Sequence, residues 1–138
     1  MILGTVILGA LVLASTAGTT TPGSNGQIAY AKKVRGHYQL FTIRADGTRE
    51  TRITQLKGSD ATEPDWSPDG RKIVFQLELP GGAGCHVELV DADGSGLVDL
   101  TGDRNGCEGQ PAFTADGRRI VFGRYDDKLE VSPSGAWT

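Results

Sequence analysis

The sequence is poor in the groups from which reactive sites are built. It has only two histidines, His37 and His86, and only two cysteines, Cys85 and Cys107. The two histidines do not occupy equivalent positions of the repeat described below. Isolated in this way they make a poor metal site and a poor acid–base pair, so structural or solvent-exposed roles are expected for both. Two cysteines are too few for a zinc site of the paired Cys-x-x-Cys kind. No basic cluster is present and the formal net charge is −3, which excludes a nucleic-acid footprint and a polybasic membrane surface. Gly-x-Ser-x-Gly, phosphate-loop and dinucleotide motifs are absent. No catalytic residue, metal ligand or cofactor is therefore assigned. After residue 17 nothing reads as a long amphipathic helix.

Charge is also missing from the start of the chain, where the first Lys or Arg is Lys32. Residues 1–14 are almost wholly apolar, and Ser15, Thr16 and Ala17 follow with small residues suited to signal-peptidase cleavage after Ala17. The run is shorter than the roughly 20 residues of a spanning helix and fits the apolar core of an export signal. Residues 1–17 are thus expected to be an N-terminal signal or anchor helix, and 18–26 a Thr/Pro/Gly/Ser linker. The remainder is expected to be exported: periplasmic, cell-envelope or secreted. Membrane contact is expected only through residues 1–17, if they are retained.

What the sequence does have is glycine, 20 residues of it, and a repeat. Residues 64–75 read Pro-Asp-Trp-Ser-Pro-Asp-Gly-Arg-Lys-Ile-Val-Phe. Residues 111–122 read Pro-Ala-Phe-Thr-Ala-Asp-Gly-Arg-Arg-Ile-Val-Phe, 47 residues on. The same period links Asp46-Gly47 to Asp93-Gly94, Ile43 to Val90 and Thr54 to Thr101. A fixed period of this size marks stacked supersecondary units. Alternating apolar and β-branched segments predict strands over 27–32, 37–44, 50–54, 63–67, 72–77, 85–91, 97–101, 110–114 and 119–124, with 129–131 as a further candidate. Asp46-Gly47, Asp69-Gly70, Asp93-Gly94 and Asp116-Gly117 are turns, because Asp-Gly readily takes the positive φ of tight reversals. Ile73, Phe75, Ile120 and Phe122 lie on one face of their strands and Val74 and Val121 on the other. Both faces are apolar, as in a sheet covered on both sides.

The motif around Trp66, with Ile73-Val74-Phe75 and the strand ends Ile53-Thr54 and Leu100-Thr101, resembles the WD40-like (PD40) repeat of TolB-type β-propellers. The likeness spans about residues 27–126, and Phe113-Thr114-Ala115 departs from it mildly. It implies an all-β fold, a partial β-propeller of about two and a half four-stranded antiparallel blades. Residues 27–54 form a partial blade, 63–101 a full blade and 110–132 a partial blade, with 133–138 as a tail. Trp66 and Phe113 then fill the wedges between blades. A count below the usual 4 to 8 blades is expected of a truncated or fragmentary member, or of a chain that self-associates to complete a ring.

In such a meander, the loop at 79–84 and the connection at 102–109 leave the same end. This lets Cys85 and Cys107 pair, as an exported protein allows, with two free thiols as the alternative. Asp91-Ala-Asp93-Gly-Ser95-Gly resembles the start of a calcium loop but lacks the later glutamate, so a hairpin turn is expected instead. The resemblance implies a protein-interaction module with partners unknown, recognising them through the loop end. The alternative is the detached N-terminal propeller of a prolyl-oligopeptidase-like hydrolase, or a propeller polysaccharide lyase.

Overall fold

The computed structural model describes residues 26–102, 106–124 and, for the backbone, 129–131. Residues 1–25, which carry the expected signal or anchor and nearly all of the linker, and the tail at 133–138 lie outside the described residues. Among the described residues no helix is long and apolar enough to cross a membrane.

Among the described residues, ten strands form three antiparallel sheets. The first holds β1 (Gln27–Val34), β2 (His37–Arg44) and β3 (Thr51–Arg52). The second holds β4 (Asp60–Trp66), β5 (Lys72–Glu78), β6 (Cys85–Asp91) and β7 (Val98–Asp99). The third holds β8 (Glu108–Phe113), β9 (Ile120–Arg124) and β10 (Leu129–Val131). Each sheet is a simple meander, as expected of propeller blades. The first blade has three described strands and the middle one four. The third has three, its last being the candidate at 129–131.

Alternation along β5 explains why the middle sheet is covered on both faces. Ile73, Phe75 and Leu77 join Leu40, Ile53, Ala61 and Val90 in a core between the first and second blades, with Trp66 packed against it. Val74 faces the other way and joins Val87, Leu89, Ile120 and Phe122 between the second and third blades, with Phe113 packed against them. Ile73, Val74, Phe75 and Ile120 are fully buried. The two ring residues thus occupy equivalent wedges, as expected from the repeat.

The main departure from the sequence reading is at the start of the middle blade. β4 begins at Asp60, three residues before the strand expected at 63–67. Pairing of Asp60, Ala61 and Thr62 with Glu78, Leu77 and Gln76 extends the strand, and a bulge follows: the β4–β5 register shifts between Thr62 and Asp65, and the β8–β9 register shifts between Gly109 and Ala112. Glu63 and Gln110, each followed by proline, hold left-handed φ values of 52° and 54°. An extra residue bends a strand and increases its local twist, and here the bulge recurs with the repeat.

Candidate functional site

The meander gives each blade two ends. The connections at 35–36, 55–59 and 79–84 gather at one end together with Gly102, Gly106 and Cys107, and the four Asp-Gly turns lie at the other. At the connection end Cys85 and Cys107 are disulfide-bonded, with Cα atoms 4.2 Å apart. The Cys85 N–H donates to the Gly106 carbonyl at 3.4 Å. Gly84 is required beside them. Its φ is +134°, and a Cβ there would lie 2.6 Å from the Gly106 oxygen. The bond therefore ties the second blade to the strand that opens the third.

A polar cluster lies next to this staple on β6 and β7. His86 and Glu88 are two apart on β6, so they share the face turned toward the first blade. Asp99 on β7 is the registered partner of Glu88. His86 Nδ1 is 3.1 Å from Asp99 Oδ2, and the ligand atoms of all three residues lie within 4.8 Å of one another. The Thr101 N–H donates to Asp99 Oδ1 at 3.0 Å, which leaves Oδ2 to face His86. Glu88 is 5% exposed. Burial first, and then the nearby Asp99 charge, push its carboxyl up to about 7. One imidazole and two carboxylates at this spacing are a donor set that can hold a divalent cation. The other histidine, His37, lies 3.6 Å from Asp60, whose carboxylate also accepts the Tyr38 N–H.

At the opposite end the four turn aspartates are occupied locally. Asp46 accepts from the Thr48 N–H and hydroxyl, and Asp93 from the Ser95 N–H and hydroxyl. Asp69 accepts from the Ser67 hydroxyl and Arg71 N–H, and Asp116 from the Thr114 hydroxyl and Arg118 N–H. These bonds hold all four carboxyls below the usual range, the side-chain hydroxyl being the largest cause in each. Asp91 pairs with Lys72 at 2.7 Å. The calcium-like run thus folds as a hairpin turn, as expected. Gly94 presses on the first blade, where a Cβ would lie 2.7 Å from the Ile53 carbonyl oxygen.

Residues that the sequence reading did not single out sew the blades together. Glu63 Oε2 accepts the Gln110 N–H, and Asp65 Oδ2 accepts the Phe113 N–H, both at 2.8 Å. Within blades, the Thr54 hydroxyl accepts the Leu40 N–H at 2.9 Å and the Thr101 hydroxyl accepts the Val87 N–H at 3.0 Å. The period had marked both threonines without revealing the bond. Glu88 and Asp99 lacked even that signal, since Phe41 and Arg52 hold their places in the first blade. Only the β6–β7 register brings them to His86.

The first blade leaves one face open. Ile28 pairs with Ile43, and Tyr30 with Phe41, as Ile73 pairs with Val90 and Phe75 with Glu88 in the second. The first blade covers Ile73, Phe75 and Val90. Among the described residues no blade covers their counterparts, and Ile28 is 53% exposed. Lys32 stands over the Phe41 ring at 5.1 Å and pairs with Glu50, which also accepts the Tyr30 hydroxyl.

No protein-family model matches the chain. An uncharacterized protein of Agrobacterium fabrum is 32% identical over an alignment covering 65% of this chain and 33% of that protein. A TolB homolog of Chlorobium luteolum is 36% identical over 38% of this chain and 12% of its own length. The chain therefore spans a third or less of these curated relatives. Among solved structures, a putative TolB from Agrobacterium tumefaciens superposes with a TM-score of 0.65 at 26% identity, over 77% of this chain and 40% of that one. The repeated bulge, the interblade wedges of Trp66 and Phe113 and these likenesses agree: the chain is a TolB-like β-propeller repeat protein that carries part of the ring.

Proposed function

We propose that the chain is an exported protein-interaction module of the TolB-like kind, engaging its partner first of all through another blade. The observation that carries this reading is the open face of Ile28, Tyr30 and Ile43. The repeat places these residues where the second blade has Ile73, Phe75 and Val90, and those are covered by a neighbouring blade. A sheet that is apolar on the same face by the same register calls for the same kind of cover. The apolar run at 1–14 and the Cys85–Cys107 bond support export. The connection end, stapled by that bond, is the surface proposed for recognition of other proteins, since loops on rigid blades are where binding usually sits.

Site-specific photo-crosslinking in the native host tests this. A photoreactive residue at Ile28 is expected to crosslink to a blade of a second copy of the chain in the envelope or secreted fraction, and one at Arg49 is not. Crosslinking at Ile28 no greater than at Arg49, or a product confined to the cytoplasm, overturns the reading.

A further inference from the structure

We propose that His86, Glu88 and Asp99 form a site for one divalent transition-metal ion, with Zn²⁺ as the fitting probe, at the outer rim of the middle blade. The chemistry of the donor set is the starting point. One imidazole nitrogen and two carboxylate oxygens suit a borderline cation, with water completing the shell. The 3.1 Å between His86 Nδ1 and Asp99 Oδ2 is close to the roughly 3.3 Å edge of a tetrahedron with metal–ligand bonds of about 2.0–2.1 Å. The third donor lies within 4.8 Å of both.

Glu88 is the second and independent observation. The residue is 5% exposed, a carboxylate oxygen of it lies within 4.8 Å of the other two donor atoms, and among the described residues no hydrogen bond to it is found. A largely buried carboxylate without a donor is costly, and a cation between it and Asp99 offsets that cost and screens the repulsion between the two charges. The fold does not demand a charge at this point. The first blade puts Phe41 at the place of Glu88, Gln39 at that of His86 and Arg52 at that of Asp99, and builds the same sheet. There the Gln39 amide is spent on Leu56 and Thr54. The cluster is thus an addition to the blade rather than part of its scaffold.

The site is also held in shape. The Thr101 N–H fixes Asp99 Oδ1. Gly102 makes room for the other oxygen, since a Cβ there would lie 2.2 Å from Oδ2. The Asp99 side chain is 38% exposed and that of His86 14%, so an ion reaches the site from the rim while Glu88 closes its floor.

The test is calorimetric titration of the full chain, stripped with chelator, with Zn²⁺ alone, alongside thermal unfolding with and without the ion. Wild type is expected to bind one equivalent and to unfold at a higher temperature when loaded. Glu88→Gln and His86→Gln are expected to weaken binding at least tenfold, and Asp93→Asn, in the hairpin turn, to leave it unchanged. Without metal, Glu88→Gln is expected to unfold no earlier than wild type, because it removes a buried charge. Should that variant fail to fold, Asp99→Asn at the exposed rim takes its place with the same tenfold loss expected. Absence of one-equivalent binding by wild type at 100 μM Zn²⁺, or equal binding by wild type and the Glu88 or Asp99 variant, overturns the proposal.

Discussion

Asp65 reaches across a blade boundary to accept the Phe113 amide N–H at 2.8 Å. Its neighbour on the same strand face, Glu63, does the same for Gln110. The seam between the second and third blades is thus stitched by carboxylates as well as packed by Val74, Ile120 and Phe122. Asp65→Ala is expected to cost about 1–2 kcal/mol of unfolding free energy by denaturant titration, since the bond is charge-assisted and half-buried. Glu63→Ala, at an exposed position, is expected to cost less. A loss at Asp65 below the error of the titration contradicts a structural role for the stitch.

The Thr54 and Thr101 hydroxyls each accept a buried strand N–H. Thr101→Val keeps shape and volume but leaves the Val87 amide without a partner, and is expected to destabilise by about 1–3 kcal/mol. Thr101→Ser keeps the oxygen and is expected to lose less. A larger loss in Thr101→Ser than in Thr101→Val would show that the methyl group, not the hydroxyl, is what the repeat preserves.

The ion pair of Glu108 and Arg124, at 3.1 Å with Glu108 fully buried, stands where the second blade pairs Ala61 with Leu77. Among the described residues Glu108 Oε2 finds no hydrogen-bond partner. Removing one member of a buried pair strands the other, so Arg124→Leu alone is expected to cost about 3–5 kcal/mol. Replacing both, as Glu108→Ala with Arg124→Leu, copies the second blade and is expected to restore most of that or exceed wild type. Chemical denaturation of the two singles and the double decides it.

The turn aspartates fix a pH dependence. Hydrogen bonds in the folded state hold Asp46, Asp69, Asp93 and Asp116 below the ordinary carboxyl value of 3.8. A lowered folded pKa contributes stability that is fully present above 3.8 and lost as pH falls through the folded values. Thermal unfolding followed from pH 6 down to 2 is expected to show a steeper acid decline in wild type than in a variant with all four changed to Asn. Parallel declines would remove the turns as the cause.

Much of this architecture was legible in the sequence because the repeat duplicates the residues that pack. Trp66 and Phe113, Ile73 and Ile120, Phe75 and Phe122 could be paired by period alone, and two-fold alternation gave their faces. The disulfide followed from meander geometry. The bulges at Glu63 and Gln110 were not legible, because a left-handed non-glycine residue before proline carries no mark in composition. The cluster of His86, Glu88 and Asp99 was hidden for a different reason. It joins two strands through a register, and it is absent from the first blade, so the period that revealed the core passes over it.

The open face of the first blade is the most direct place to test the account, and the mass of the native, non-reduced chain in solution is the measurement. By light scattering at micromolar concentration, wild type is expected to run at a multiple of the 14.6 kDa chain. Ile28→Lys with Ile43→Glu is expected to return it to a single chain with its strand content intact. A wild type of single-chain mass, or an assembly that this double variant leaves unchanged, contradicts the claim that the face of Ile28 and Ile43 is a blade-to-blade surface.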